Sequence, residues 1–257
     1  MNFVEKDGSR FYNCDCIEVL KGLEDKSVDL IFADAPYNIG KDFGNKSDKW
    51  KNYDEFIAWC YSWVDECFRV LKDNGTFYIM VGTEANPYID IYVSKKYNVI
   101  SRIVWVYDSS GVQARNKFGS LYEPILMCSK SKKAKYTFNS QDILVPAKTG
   151  KERKLIDYRK NPPQPYKSEK VPGNVWNFSR VRYLMPEYQN HPTQKPEMLL
   201  KRIILASSNE GEIVLDPFSG SFTTCKVAIE LGRKCIGIEL NTEYFENGLK
   251  RCFNSYE

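Results

Sequence analysis

Two groups of residues in this 257-residue chain have the types and spacing that chemistry requires. The first is Asp34-Ala35-Pro36-Tyr37, directly after the apolar run SVDLIFA. An acid, a proline-stiffened turn and an aromatic at the end of a strand-like segment lie where open α/β sheets carry their reactive groups. The second is VLDPFSGSFTT, Val214 to Thr224, which contains Asp216, Pro217, Phe218, Ser219, Gly220 and Ser221. A strand that runs through a small glycine-bearing turn into a helix lets backbone approach a ligand closely, and Glu239, ending the next apolar run, is placed to bind ribose hydroxyls. The Gly-Lys-[Ser/Thr] ending of a Walker loop is absent, and so is GxGxxG. The ligand implied is a nucleoside-type cofactor without a pyrophosphate, which argues against a dinucleotide oxidoreductase.

The rest of the reactive inventory is sparse. His191 is the one histidine, so a reaction that needs no strong general base near neutral pH fits the chain better than one that does. The eight cysteines, at 14, 16, 60, 67, 128, 225, 235 and 252, include no CxxC pair. Neither spacing nor partners suit a metal, and all eight are expected to be buried or half-buried thiols in a reducing compartment.

Positioning these groups requires strands and helices in alternation. Ser27 to Asp34, Gly75 to Val81, Ser101 to Tyr107 and Glu123 to Cys128 read as short strands rich in β-branched and aromatic residues. Tyr53 to Leu71 places Phe56, Cys60, Trp63, Cys67, Val70 and Leu71 at steps of three and four, the spacing of a helix with a buried stripe. Toward the C-terminus the pattern predicts a helix over Pro196 to Ser208, a strand over Ile213 to Asp216, a helix from Thr223 to Leu231, a strand over Lys234 to Glu239 and a helix over Thr242 to Phe253. Such alternation predicts an open, doubly wound α/β fold around a mostly parallel sheet.

Between these halves, Lys130 to Tyr188 loses periodicity and gains Lys, Arg, Asn, Tyr and the cluster Asn161-Pro162-Pro163-Gln164-Pro165-Tyr166. It reads as an insertion anchored by Ile143, Leu144, Ile156, Val175, Trp176 and Phe178. Residues 108 to 190 carry sixteen Lys and Arg against seven Asp and Glu, a local charge of +9 in a chain of +4. A basic segment mounted on a mildly acidic body is the footprint of a polyanion contact, and its aromatic content suits base stacking; a solvated basic surface is the plain alternative. Apolar residues make up 42% and no apolar run reaches the ~20 residues of a membrane span, so a globular rather than disordered or membrane protein is expected. The opening MNFVEKDGSR lacks the apolar core of a signal peptide, and the expected location is the cytoplasm.

With these residues in view, the chain resembles the β class of DNA amino-methyltransferases. That family carries a DPPY-type tetrapeptide, then a target-recognition segment, an HPTQKP motif and a DPFxGSGTT loop. Here the same order is Asp34 to Tyr37, the basic insertion, His191-Pro192-Thr193-Gln194-Lys195-Pro196, and Asp216 to Thr224. Long segments such as RIVWVYDSSGVQARNKFGSLYEPIL and RVRYLMPEYQNHPTQKPEMLLKRIILASS are similar to a subgroup of orphan adenine methyltransferases. The resemblance implies a class I, Rossmann-like methyltransferase fold with a doubly wound mixed sheet. Residues 1–129 would form the catalytic half, 130–190 the target-recognition insertion with DNA contacts beginning near 108, and 191–257 the half that binds S-adenosyl-L-methionine (AdoMet). It implies AdoMet as cofactor, no metal, and double-stranded DNA as partner, in a bacterial or phage-type activity at the nucleoid. A short palindromic target such as ATGCAT is implied as well. A homodimer fits the family, though no residue decides it, and this chain encodes no restriction partner.

Residue by residue, the resemblance implies that Asp34 and the carbonyl of Ala35 accept hydrogen bonds from the target N6 amino group. Pro36 would hold the turn and Tyr37 would stack on the flipped base. Asp216 to Ser221 would form the cofactor loop, Glu239 would hold the ribose, Asp15 would lie near the cofactor adenine, and Thr193, Lys195 and Pro196 would close over the methionine end. Asp15 equally suits the N-cap of a helix over Ile17 to Leu23, and His191 reads as an orderer of its loop. Arg115, Lys117, Arg153, Lys154, Arg159, Lys160, Arg180 and Arg182 are the candidates for phosphate and groove contacts. Position 35 is Ala where the family has Pro, and position 222 is Phe where most members have Gly. Ala35 loses the fixed φ and gains an N–H, which predicts a looser or slower site. It also leaves open a catalytically silent relative that only binds DNA or cofactor. Asp rather than Ser at position 34 favours adenine N6 over cytosine N4.

Overall fold

In the computed structural model, which describes residues 2–41, 43, 48–107 and 115–253, the alternation of strands and helices is realised in full. The strands are β1 (Asn2–Lys6), β2 (Ser9–Asn13), β3 (Val28–Asp34), β4 (Leu71–Met80), β5 (Asn98–Val106), β6 (Tyr122–Ser129), the two-residue β7 (Val145–Pro146), β8 (Ile156–Asp157), β9 (Gln164–Pro165) and β10 (Glu169–Lys170), then β11 (Val175–Asn177), β12 (Ile213–Asp216) and β13 (Lys234–Glu239). The α-helices are α1 (Cys16–Gly22), α2 (Tyr53–Val70), α3 (Asn86–Lys96), α4 (Glu197–Ser207), α5 (Thr223–Glu230) and α6 (Thr242–Phe253).

Nine strands form one sheet in the order β1-β2-β13-β12-β3-β4-β6-β5-β11. Its centre, β2-β13-β12-β3-β4, is parallel. The strand β6 runs against both β4 and β5, and β1 runs against β2. Successive side chains of a strand point to opposite faces, and here each face has its own core. Ile31, Ala33, Phe77, Ile79, Ile236 and Ile238 pack with the buried residues of α1, α2 and α3. Leu30, Phe32, Tyr78, Met80, Val214 and Cys235 pack with those of α4, α5 and α6. Helices on both faces explain why the central strands read as unbroken apolar runs.

Local chemistry sets the ends of the elements. Asn52 caps α2, its side chain accepting from the Glu55 N–H at 2.8 Å while its amide donates to the Glu55 carboxylate. Asp15 caps α1, accepting from the Ile17 N–H at 2.8 Å. The β1–β2 hairpin turns at Asp7 and Gly8, whose φ angles of 53° and 76° are those of a two-residue primed turn.

Two expectations need correction. Cys225 on α5 and Cys235 on β13 are joined as a disulfide with Cα atoms 5.2 Å apart, because helix and strand pack with these two side chains face to face. The other six cysteines are free and mostly buried. In the insertion, Ile143 and Trp176 are buried anchors, but Ile156 and Val175 are exposed: Ile156 sits on a two-stranded ribbon outside the main sheet, and Val175 points to the face of β11 opposite the buried Trp176. The insertion also adds β11 to the sheet, parallel to β5, with Trp176 opposite Trp105. The hairpin and α3 complete the fold beyond the elements read from the sequence.

Candidate active site

The chain order of the strands reverses between β12 and β3, and at their carboxyl ends a cavity of about 420 Å³ opens. This is the switch point at which doubly wound sheets bind ligands, and the volume falls in the ~300–1,000 Å³ range of small-molecule sites. Asp34, Ala35, Pro36 and Tyr37 line it from β3. Pro217, Phe218 and Gly220 line it from the turn after β12, and Glu239 from the end of β13.

The β3 turn is held from several sides. The Ala35 N–H donates to the Met80 carbonyl at 3.2 Å, prolonging the β3–β4 ladder by one residue, and Ala35 is buried. The additional N–H at position 35 is therefore satisfied. Buried Asp48 accepts from the backbone N–H groups of Tyr37 and Ile39, and the Asn38 side chain accepts from the Trp50 N–H at 3.1 Å. The Tyr37 ring lies close above Gly82, where a Cβ would come within 3.3 Å of it. Its hydroxyl donates to Asp34 Oδ1 at 3.0 Å or to Glu123 Oε2 at 2.7 Å.

Lys195 completes a charged cluster. Its ammonium is in direct contact with Asp34 Oδ2, lies 3.7 Å from Glu123 Oε2 and donates to the Thr193 carbonyl at 3.2 Å. Burial pushes the Asp34 carboxyl above its ordinary range even though Lys195 pulls the other way. Burial and the two neighbouring carboxylates raise the Tyr37 phenol well above its usual value, so it stays protonated and donates. Burial works against the Lys195 ammonium, but Asp34 and Glu123 outweigh it and keep Lys195 charged. Two carboxylates, one ammonium and one neutral phenol leave the cluster with one net negative charge. A nitrogen that becomes cationic is stabilised by that balance.

The other half of the cavity is flat and apolar with acids at its edge. Phe218 packs on Trp59 and Trp63 at 5.7 and 5.2 Å, and Trp50 lies 4.8 Å from Trp59. Asp15 lines the cavity while capping α1. Glu239 accepts from the Gly220 N–H with one oxygen and the Asn241 N–H with the other, both at 2.8 Å, and burial raises its carboxyl to about 7. Gly220 has φ 49°, and a Cβ there would meet the His191 ring at 2.8 Å. The donor set suits a nucleoside: apolar walls for a base, two acids for hydroxyl and amino hydrogens, and a glycine where backbone must come close. Among the described residues, no group of three or more His, Cys, Asp or Glu is placed to hold a metal ion.

Several sequence candidates lie behind the cavity wall rather than on it. Asp216 is buried, accepts from the Phe218 N–H at 3.0 Å, and is lifted to about 7 by burial. Ser219 donates to the Asp216 carbonyl and accepts from the Ile238 N–H, tying the turn to β13. Ser221 shares a hydrogen bond with Thr223, and Pro196 caps α4. Thr193 lines the cavity. His191 accepts from the Thr193 N–H at 3.4 Å, packs edge-on to Tyr244, and is pushed down to about 3 by burial and the nearby lysines, so it orders its loop as a neutral ring. Phe222 stands at the N-cap of α5 with φ 56° and is fully buried.

Of the basic candidates, Arg180 is half-buried and lies beside the cavity without lining it. Its guanidinium lies 5.1 Å over Tyr107, and its charge, after burial, helps to depress the pKa of Lys41 on the cavity wall. Arg115, Lys117, Arg153, Lys154, Lys160 and Arg182 are exposed, and Arg159 pairs with Asp157 at 2.8 Å. Residues 108–114, where DNA contacts are expected to begin, lie outside the described residues. Sequence reasoning missed Glu123, Asp48, Lys41, Trp50 and the cavity side of Trp59. An acid opening the strand-like segment at 123 was the available signal, but its relevance depends on β6 being antiparallel.

A parallel-centred sheet with β6 reversed inside it and β1 reversed at its edge, a cavity suited to a nucleoside at the switch point and an acid ending β13 define a Rossmann-like methyltransferase of class I. Residues 28–250 match the family described as DNA methylase, of the N6 and N4 type, and the chain belongs to that family. It is 63% identical over 237 residues to the DNA adenine methyltransferase YhdJ of Escherichia coli K12, covering 92% of this chain and 80% of that protein. It is 40% identical to the type II methyltransferase M.HpaI of Haemophilus parainfluenzae, over 95% of this chain and 74% of that protein. Among solved structures, M1.HpyAVI in complex with SAM superimposes with a TM-score of 0.62 at 27% identity, over 94% of this chain and 98% of that one. The cytosine-N4-specific PvuII DNA methyltransferase shares the fold, with a TM-score of 0.74 at 18% identity over the whole of this chain and 92% of its own.

Proposed function

We propose that this chain transfers a methyl group from AdoMet to the N6 amino group of an adenine flipped out of double-stranded DNA. The observation that carries the reading is that the Asp34–Tyr37 turn and the Phe218–Gly220 turn with Glu239 open on one cavity. AdoMet supplies an electrophilic methyl group on a sulfonium. Phe218, Trp50 and Trp59 would hold its adenine, Asp15 and Glu239 would take its amino and hydroxyl hydrogens, and Thr193 and Lys195 would border its methionine end.

An exocyclic amine is a poor nucleophile because its lone pair is delocalised into the ring. Hydrogen bonds to the Asp34 carboxylate and the Ala35 carbonyl draw the nitrogen toward tetrahedral geometry and localise that pair, so electrostatic preorganisation replaces a strong base. N6 forms its new bond to carbon as the carbon–sulfur bond breaks and leaves its electron pair on sulfur. The cationic N6 then gives one proton to Asp34, whose raised pKa suits it as acceptor, and Asp34 passes it to water. Tyr37 stacks on the extrahelical base, which must leave the duplex before its amino group can be reached.

The basic residues from Arg115 to Arg182 contact phosphates and groove edges, and 130–190 acts as the recognition segment between the halves 1–129 and 191–257. No described helix is long and apolar enough to cross a membrane, and the reading assigns the enzyme to the cytoplasm. Ala35 does not argue for a silent relative, because its N–H is paired and its side chain packs in the core. The test is transfer of labelled methyl from AdoMet to unmethylated bacterial DNA, followed by digestion to nucleosides. N6-methyladenine is expected; N4-methylcytosine, or bound cofactor and DNA with no labelled base, overturns the reading.

A further inference from the structure

Glu123 does not itself line the cavity, yet it contacts Tyr37 and Lys195, which do. It opens β6, and because β6 is antiparallel to β4 its first residues fall beside the carboxyl end of β4 and the β3 turn. Its Oε2 accepts from the Tyr37 hydroxyl at 2.7 Å and lies 3.7 Å from the Lys195 ammonium. Asp34 faces the same two groups, the Lys195 ammonium at Oδ2 and, at Oδ1, the Tyr37 hydroxyl 3.0 Å away, whose one proton goes to either carboxylate. The two carboxylates therefore share one phenol and one ammonium.

That sharing matters for charge. Asp34 with Lys195 alone is a neutral pair, and a neutral pair offers little to a nitrogen turning cationic. A second carboxylate restores one net negative charge and gives Lys195 somewhere to go. On this basis we infer that Glu123 is a positioning residue for methyl transfer, holding Lys195 and the Tyr37 hydroxyl when the target amine engages Asp34, so that Asp34 meets the amine with its charge uncompensated. The inference rests on the methyl-transfer reading above and adds a residue to its site.

The test is single-turnover methyl transfer by the full chain with AdoMet and duplex DNA, comparing wild type, Glu123→Gln, Lys195→Gln and the double variant. Thermal unfolding serves as the control for folding, and AdoMet affinity is measured for each variant so that every rate is read at saturation. Glutamine keeps the shape and an acceptor for Tyr37 but removes the charge, which takes the cluster from −1 to 0. The transfer rate is expected to fall about ten- to hundred-fold, the scale for removing one electrostatic stabiliser from a partly screened site, with AdoMet affinity within about threefold of wild type. Removing Lys195 as well returns the cluster to −1, so with every variant saturated in AdoMet the double variant should be faster than Glu123→Gln. A role in packing alone would make the double variant slower than either single one.

A Glu123→Gln rate within about twofold of wild type, or a double variant slower than Glu123→Gln, overturns the inference while the methyl-transfer reading stands. Should Glu123→Gln fail to fold, Glu123→Asp decides. It keeps the charge but shortens the reach, and is expected to lose rate with little change in AdoMet affinity; an unchanged rate overturns the inference. If wild type itself transfers no methyl to DNA, the reading fails and the inference with it.

Discussion

Phe222 occupies a backbone conformation that glycine would occupy without strain, so its replacement sets two effects against each other. Its φ of 56° and ψ of 26° are left-handed, which costs an L-residue roughly 1–2 kcal/mol. Its ring is fully buried, 5.8 Å from Phe11 and 6.1 Å from Phe245. Gly237 and Gly248 sit directly beneath it, and a Cβ on Gly248 would come within 2.1 Å of the ring. Phe222→Gly relieves the strain, offset in part by ~0.4–1 kcal/mol of extra unfolded-chain entropy. It also removes a ring of the kind whose deletion costs ~3–5 kcal/mol, in a place where the two glycines leave no side chain able to collapse into the hole. The net loss is about 2–4 kcal/mol, which for a chain of this length lowers Tm by roughly 5–15 °C. Phe222→Ala opens almost the same cavity and keeps the strain, so it should be the less stable of the two by ~0.5–1 kcal/mol. Urea unfolding of wild type and both variants measures these differences. A glycine variant as stable as wild type, or less stable than the alanine variant, would refute the opposition of strain and packing.

Ala35→Pro removes the hydrogen bond to the Met80 carbonyl, about 1 kcal/mol, and gains a similar amount by stiffening the unfolded chain. Stability by urea unfolding should change by less than ~1 kcal/mol, and the methyl-transfer rate should not fall. His191 is held neutral with a pKa near 3 against 6.5 when unfolded, so the unfolded chain binds the extra proton between these values and stability drops as pH falls below 6.5. At pH 5 that amounts to ~2 kcal/mol; in urea titrations His191→Asn should lose correspondingly less stability than wild type between pH 7 and 5. Burial lifts Glu239 to about 7, and ribose hydroxyls bind its carboxylate form better. AdoMet affinity measured by calorimetry should rise from pH 6 to 8, and Glu239→Gln should be weaker and nearly flat.

Legibility from the sequence followed the physics of each element. Helix α2 and the central strands were readable because burial of one helical stripe, or of both strand faces, writes an unmistakable pattern. Helix α3 was not, since only Ile89 and Val93 of its eleven residues are buried and its other apolar side chains are spread around the axis. The β1–β2 hairpin carried its signal in Asp7-Gly8, but its strands form the outer pair at one edge of the sheet and lack the density of the central ones. At the site, residues at the ends of parallel strands were found because chain direction there follows from alternation with helices. Glu123 begins a strand, and nothing local reveals that β6 is reversed. Asp48 and Trp50 act through a loop whose folding depends on contacts back to Tyr37 and Asn38. The sulfurs of Cys225 and Cys235 are nine residues of intervening chain apart, and only the packing of α5 on β13 brings them together.

The insertion is fastened at its two ends and self-supporting between them. At one end, the Asn139 side chain donates to the carbonyls of Leu205 and Ser208 at the close of α4. At the other, β11 is hydrogen-bonded to β5 and the Trp105 indole donates to the Phe178 carbonyl at 2.8 Å. Between these fastenings the ribbons β7–β10 and β8–β9 pair with each other and add no strand to the main sheet. Selection acting on the 145–170 stretch is thereby uncoupled from selection on the sheet. Its length and composition can drift, or be exchanged for those of a relative, while the register of β5 and β6, and with it the position of Glu123 beside Tyr37, is inherited unchanged.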